Sequence, residues 1–415
     1  MSRRREVLGS LGGFTVFSLA GCLGDSENAS TDDDDHLGHN GGDSHDGDDR
    51  NEPDVPTGEG LVYAFAPNTI AVIDPEEAEV VTEISDGFTD ESWGDPQITH
   101  DFSQVFIVRE SPSQVVAIDT STHQILAEID IGPGPTHIYH PNDAEIWAHA
   151  DGEGTFYVID VATHSVIETV ESGLDAEGHG KLLYHDDFGD SGFATNVNDA
   201  GLPVIDLGAY ERIDFIEFGE EGGTHYKAYG PQNGLVYAEF GDVTQVVDSE
   251  THEVVDELDF SGGMYLSPNR NLLGVLDGNT IQFVDVSNVE HDIVGSVAVE
   301  DGPDALRYYE GEDGTLYGFT AHTMDDRAAV IDIDAFEIID ELDVGDIERP
   351  EGARFLHRSG VAADGLFVTP AEADGFVALI DMQAREVIGH VDVEAGVDTV
   401  QIIGDSGTGY TGRTR

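Results

Sequence analysis

From residue 59 to the C-terminus, apolar residues come in short runs, and one run recurs with an aspartate at its end. It reads AVID to Asp74, VVAID to Asp119, FYVID to Asp160, LPVID to Asp206, QVVD to Asp248, QFVD to Asp285, AVID to Asp332 and ALID to Asp381. Successive aspartates stand 45, 41, 46, 42, 37, 47 and 49 residues apart. Each is followed by a short polar turn and another β-rich run, such as Glu79 to Ile84 or Glu337 to Val344. A carboxylate at that point caps the turn of a hairpin. Two more apolar runs precede each aspartate run, parted by turn sequences such as Pro231-Gln232-Asn233-Gly234. Four antiparallel strands per unit, at a period in the low forties and without helical periodicity, predict an all-β fold, the β-propeller. Eight blades is the count, with seven as the alternative.

The two ends of this region fit together. The first unit shows three strands, around Leu61 to Ala66, Thr69 to Asp74 and Glu79 to Ile84, whereas an extra apolar run, Thr399 to Gly404, trails the last unit. The trailing run is expected to supply the innermost strand of blade one and so remove an open sheet edge. Across residues 59–415 the aspartate-ended runs resemble the YVTN family of extracytoplasmic propellers. That resemblance implies the fold and little about function.

Residues 1–22 read as an export signal: Arg3-Arg4-Arg5, an apolar stretch from Val7 to Ala20, and Leu19-Ala20-Gly21-Cys22. Twin arginines before a short apolar segment point to the route that carries folded proteins across a membrane. Leu-Ala-Gly-Cys resembles a lipobox, which implies that Cys22 becomes the lipid-modified first residue; the other reading is a free thiol in a stop-transfer anchor. The expected location is extracytoplasmic, lipid-anchored to the outer face of the cell membrane. Cys22 is the only cysteine, so residues 59–415 have neither disulfides nor thiolate ligands. Residues 23–58 are polar and acidic, the composition of a solvated tether. His36, His39 and His45 lie in it, either as a loose auxiliary capture point for divalent metal or as incidental residues of a spacer.

Charge changes the choice of partners. Asp and Glu number 85 against 17 Lys and Arg, a formal net charge of -68, yet 39% of residues are hydrophobic and can build a core. Such an excess fits a surface adapted to concentrated salt, which screens self-repulsion. Nucleic acid is excluded as a partner, because no basic patch exists to neutralise phosphates.

In a four-stranded meander, the turn positions sort the histidines between the two faces of the ring. His123, His164 and His252 fall in the outer hairpins and read as exposed turn residues; His100, His140, His185 and His357 read as caps of the turn after the innermost strand. His137, His179 and His225 instead open the innermost strands of blades three, four and five, and His149, with Asp151 two residues on, ends the second strand of blade three at the same rim. Three or four imidazoles there, with carboxylates nearby and no thiolate, make a suitable shell for Zn²⁺, with copper or nickel as alternatives. The plainer reading is a set of hydrogen-bonded polar residues lining a wet channel. The chain has only two lysines, Lys181 and Lys227, each two residues beyond a rim histidine. With Arg307 and Arg354 on inner strands they are expected to make the channel basic, either holding an anion or pairing with channel carboxylates.

At these residues the chain resembles the AztD-type zinc metallochaperones, exported propellers that carry zinc to the binding protein of an ABC transporter. The elements that carry the resemblance are Pro135-Thr136-His137 with His140-Pro141-Asn142-Asp143, then His179-Gly180, then His225; it departs where that family has His-Gly and this chain has His225-Tyr226. The resemblance implies a metal-binding protein, not an enzyme, with zinc as cargo, a transporter substrate-binding protein as partner and the membrane reached through the lipid. A second resemblance is to the d1-haem propellers of nitrite reductases and their relatives, in which His179, Lys181 and Arg307 would match the haem ligand and propionate contacts; no C-x-x-C-H site accompanies it. A third class is a surface scaffold without ligand. No G-x-S-x-G or other nucleophile arrangement supports hydrolysis.

Overall fold

A computed structural model describes residues 58–174, 177–268, 271–299, 302–351 and 356–405. The export signal with Cys22, the tether histidines His36, His39 and His45, and Arg354 lie outside the described residues. The chain divides into a unit of residues 1–52 and a unit of residues 53–415, and only the second is described here.

Among the described residues, thirty-two strands form eight antiparallel sheets of four, so the protein is an eight-bladed β-propeller. Seven blades are consecutive meanders. Blade one takes its innermost strand from the far end of the sequence: Thr399–Ile402 pairs with Val62–Phe65, Thr399 opposite Phe65 and Ile402 opposite Val62. Consecutive innermost strands pack side by side around the axis, beginning with Thr399–Ile402 against Trp93–Ile98 and that strand against Pro135–Asn142. No helix among the described residues is long and apolar enough to cross a membrane.

The recurrent aspartates work locally. All eight accept a hydrogen bond from a backbone N–H two or three residues on, at 2.7–2.9 Å, from Glu76 on Asp74 to Ala384 on Asp381. In seven blades the fourth residue after the aspartate then takes a positive φ and turns the chain into the outer strand; His123, His164 and His252 are three of these, with φ of 56°, 52° and 60°. Histidine tolerates that left-handed region better than most residues. These three are therefore turn residues, but none is exposed as expected: His164 and His252 are half-buried, and His123 is buried with its Nδ1 2.7 Å from the Tyr63 hydroxyl.

Apolar residues on the two inner strands of each blade interleave with those of the next. Eight hydrophobic clusters result, one at every blade interface including the seam between blades eight and one. In the cluster between blades three and four, Trp147 is fully buried and its indole N–H reaches Glu145 at 3.0 Å. Truncating a side chain of that size costs about 3–5 kcal/mol. The outer strands, such as Ser165–Glu171, are mostly exposed. A rigid ring therefore presents its innermost strands to a central channel.

Candidate metal centre

Three histidines from three blades meet at one mouth of that channel. His137 is the third residue of the innermost strand of blade three (Pro135–Asn142), His179 precedes that of blade four (Leu182–Tyr184), and His225 precedes that of blade five (Lys227–Gly230). His137 Nε2 lies 2.9 Å from His179 Nε2, which lies 3.1 Å from His225 Nε2. All three ligand atoms fall within 4.8 Å of one another. The imidazoles fan around His179, with ring centroids 4.5 and 4.9 Å away on its two sides.

The opposite edges of the rings are held by acids. Asp95, from the innermost strand of blade two (Trp93–Ile98), sits 2.6 Å from His137 Nδ1. Asp151, in the loop after the second strand of blade three, places Oδ2 2.6 Å from His179 Nδ1 and Oδ1 2.8 Å from His149 Nδ1, and also accepts from the Thr136 hydroxyl at 3.0 Å. Glu239, ending towards the same rim, lies 3.8 Å from His225 Nδ1 and accepts from the Tyr226 N–H at 3.0 Å. An ionised carboxylate only accepts, so His137 and His179 carry their protons on Nδ1 and turn bare Nε2 lone pairs towards each other. Lone pairs 2.9 Å apart repel unless a cation sits between them.

Protonation of His137 or His225 does not supply that cation at ordinary pH. Burial lowers the His137 pKa to about 3, with Lys181 adding to the effect and Asp95 opposing it. Burial also pushes His225 and His149 down. Burial disfavours the charge on Asp95, but the charge and hydrogen bond of His137 prevail and bring it to about 2; the hydrogen bonds from His149 and His179 likewise keep Asp151 below the ordinary carboxylate range. Glu239 moves the other way, raised by burial. Two nitrogens on a tetrahedral Zn²⁺ at about 2.0–2.1 Å stand about 3.3 Å apart, a few tenths from the spacing found here. Three imidazoles with carboxylates behind them suit Zn²⁺, Cu²⁺ or Ni²⁺. The residues fit a small metal ion.

The structure places the other sequence candidates differently. His149 does not join the three. Like Trp147, two residues before it, it belongs to the interface side of its strand, and its Nε2 lies 2.8 Å from the Ser172 hydroxyl, fully buried. Asp151 turns its oxygens to the backs of His149 and His179 rather than to the converging nitrogens. Gly180 makes room for this arrangement, since a Cβ there would meet the Thr195 carbonyl oxygen and, at 3.0 Å, His149 Nε2. Lys181 and Lys227 are buried beside the centre, their ammonium groups over the rings of Tyr226 and Tyr139 at 5.2 and 5.6 Å. Burial and Lys181 together lower the Lys227 pKa to about 7. Arg307 is buried on the innermost strand of blade seven, over Tyr265 at 5.2 Å. His357 does not cap the turn after an innermost strand; it precedes that of blade eight (Val361–Ala363), 3.5 Å from Asp304. The rings of His100 and His140 lie 4.0 Å apart, tilted by 37°, towards the ends of their innermost strands and away from the trio along those strands.

No family model matches the chain, and no curated protein matches it. Solved structures do. Dihydro-heme d1 dehydrogenase NirN superimposes with a TM-score of 0.67 over 84% of this chain and 76% of that one, at 12% identity. AztD from Citrobacter koseri superimposes with a TM-score of 0.61 over 82% of this chain and 96% of that one, at 13% identity. A computationally designed protein, Ika8, gives 0.55 over 75% and 96%, at 14% identity. At such identities the likeness is one of fold: this chain is a propeller similar in architecture to AztD and to NirN.

Proposed function

We propose that the three-histidine centre binds a Zn²⁺ ion as cargo, and that the protein is a non-enzymatic metallochaperone. The observation that carries this reading is the convergence of three Nε2 atoms, with two of the rings held from behind by Asp95 and Asp151 and Glu239 3.8 Å behind the third. The centre lies at a channel mouth, with the His179 side chain one-third exposed, so an ion there is reachable from outside. Three protein ligands leave a fourth coordination position for a ligand from elsewhere, which is what handover requires. The proposed recipient is the substrate-binding protein of a metal ABC transporter, and the proposed setting is the outer face of the cell membrane, with Cys22 lipidated and His36, His39 and His45 as a first capture point. The acidic surface fits a salt-rich medium.

The test is metal analysis of protein purified in high salt, wild type beside His179→Ala/His225→Ala. One equivalent of zinc in the first and none in the second is expected; equal stoichiometry overturns the reading. Faster passage of zinc to a transporter binding protein than from free solution separates a chaperone from a scaffold.

The d1-haem reading has the likeness to NirN and the basic residues Lys181, Lys227 and Arg307 behind it. It meets an obstacle in the trio. A macrocycle presents its iron to axial ligands on opposite faces, whereas these three lone pairs converge on one point. Uptake of a tetrapyrrole with a visible absorption spectrum would favour it; a protein that stays colourless excludes it.

A further inference from the structure

We propose that Thr195, which offers no ligand to the ion, is a positioning residue of the centre: its hydroxyl ties the chain carrying His179 to the chain carrying His225 and so sets the spacing of those two imidazoles. This rests on the metal-binding reading above and extends it. The three histidines are not held alike. His137 lies inside its strand, between the ladder pairs Pro135 with Ala150 and Ile138 with Ala148. His179 and His225 stand ahead of their strands, Leu182–Tyr184 and Lys227–Gly230, in stretches without regular structure. The sheet alone does not fix them.

Residues 195–197 do, running on from the second strand of blade four, Ser191–Ala194, between the two chains. On the His179 side, the Thr195 N–H donates to the Lys181 C=O and the Val197 N–H to the His179 C=O, each at 2.9 Å. On the His225 side, the Asn196 N–H donates to the Thr224 hydroxyl at 3.0 Å, and the Thr224 N–H returns a bond to the Asn196 C=O at 2.9 Å. Thr195 Oγ1 joins the two sides, accepting from the Lys181 N–H at 2.9 Å and donating to the His225 C=O at 3.1 Å. A hydroxyl can do both at once, whereas the same shape without oxygen can do neither. Thr195 and Thr224 are fully buried, so water does not replace a bond that is lost. The two Nε2 atoms 3.1 Å apart thus hang from chains that one oxygen bridges. Removing that oxygen lets the His225 corner move off, and an ion held by His137 and His179 takes water in its place.

The experiment loads full-length protein with Co²⁺ in high salt and reads the visible bands of the bound cobalt, whose intensity reports coordination number, beside Zn²⁺ affinity by competition with a chelator. In Thr195→Val the bands weaken as the ion gains water and Zn²⁺ affinity falls about 10-fold, the lower end of the range for outer partners. Thr195→Ser keeps the hydroxyl and stays near wild type. Thr320→Val is the control for general loosening: that threonine is equally buried, and its hydroxyl donates to the Asp304 C=O at 2.7 Å between two strands of blade seven. It should lower the unfolding midpoint and leave the bands alone. Thr224→Val, which cuts the adjoining bond, shifts the bands in the same direction by less and decides the matter should Thr195→Val fail to fold. Unchanged bands and affinity in Thr195→Val overturn the proposal, as does a serine variant that behaves like the valine one or a Thr320→Val that moves the bands equally. In each of these cases bound cobalt leaves the metal site standing; a wild type that takes up no cobalt overturns the metal site and this proposal with it.

Discussion

Blades three and seven stand half a turn apart in the ring and enter their innermost strands by the same corner. Gly134-Pro135 opens one and Gly302-Pro303 the other, the glycines at φ of 64° and 70°. Both strands carry a bulge just inside the corner. The same backbone bond ties each corner, from the Asp151 N–H to Gly134 at 2.9 Å and from the Thr323 N–H to Gly302 at 2.8 Å. Yet Ala305 takes the place of His137, Ala321 that of His149 and Thr323 that of Asp151. Backbone is shared and chemistry is not. The propeller thus supplies a repeated corner, and only the corner of blade three carries a histidine of the trio.

Giving blade three the residues of blade seven tests this from the strongest effect down. His137→Ala should weaken Zn²⁺ binding by more than about 100-fold, beyond the range of outer partners, as read by competition with a chromophoric chelator. Asp151→Thr removes no ligand but frees the back of His179, and a loss of about 10- to 100-fold is expected by the same assay. A result equal to wild type would show that Asp151 does not orient the ring. Gly180→Ala pushes a methyl group at the Thr195 carbonyl and the His149 ring. Overpacking of this kind costs about 1–3 kcal/mol, and a lowered midpoint of chemical unfolding measures it.

The smallest effect belongs to the far side of the mouth. A hydrogen bond donated to Asp304 raises the His357 pKa against the opposing effect of burial. A base whose pKa is raised on folding adds stability below its unfolded value, about 6.5, and loses it as pH climbs through the folded value. Asp304→Asn loses one acceptor for the Arg358 and Ala305 N–H groups at any pH, and should lower Tm further at pH 5.5 than at pH 8.5, by about 1 °C or less, as the exposed imidazole allows. Zinc affinity should not move. If it does, blade seven takes part in the centre and the contrast between the blades fails.

The ring was legible because its signals are local: the aspartate that ends each third strand caps its own turn, and the unpaired run near residue 400 had one place to go. The meeting of His137, His179 and His225 followed from their shared position at the start of innermost strands. Asp95 was missed, though it sits in the bulge of blade two at the register of His137 in blade three, which aligning Trp93-Gly94-Asp95 with Pro135-Thr136-His137 reveals. Glu239 gave no such signal, since its approach to His225 depends on how two neighbouring strands end. His149 was assigned to the rim by strand position alone. Its fate turned on parity: it shares a face with Trp147, and that face looks into blade four.

The pairing of Thr399–Ile402 with Val62–Phe65 also sets the order of events in time. A ribosome delivers blade one early and its innermost strand only after the seven other blades. Until then blade one keeps an open edge, and the seam cluster with blade eight lacks Val397, Val400 and Ile402. Folding of the ring is a last-step closure, and a synthesis halted before that strand leaves a sticky, unfinished arc rather than a smaller propeller.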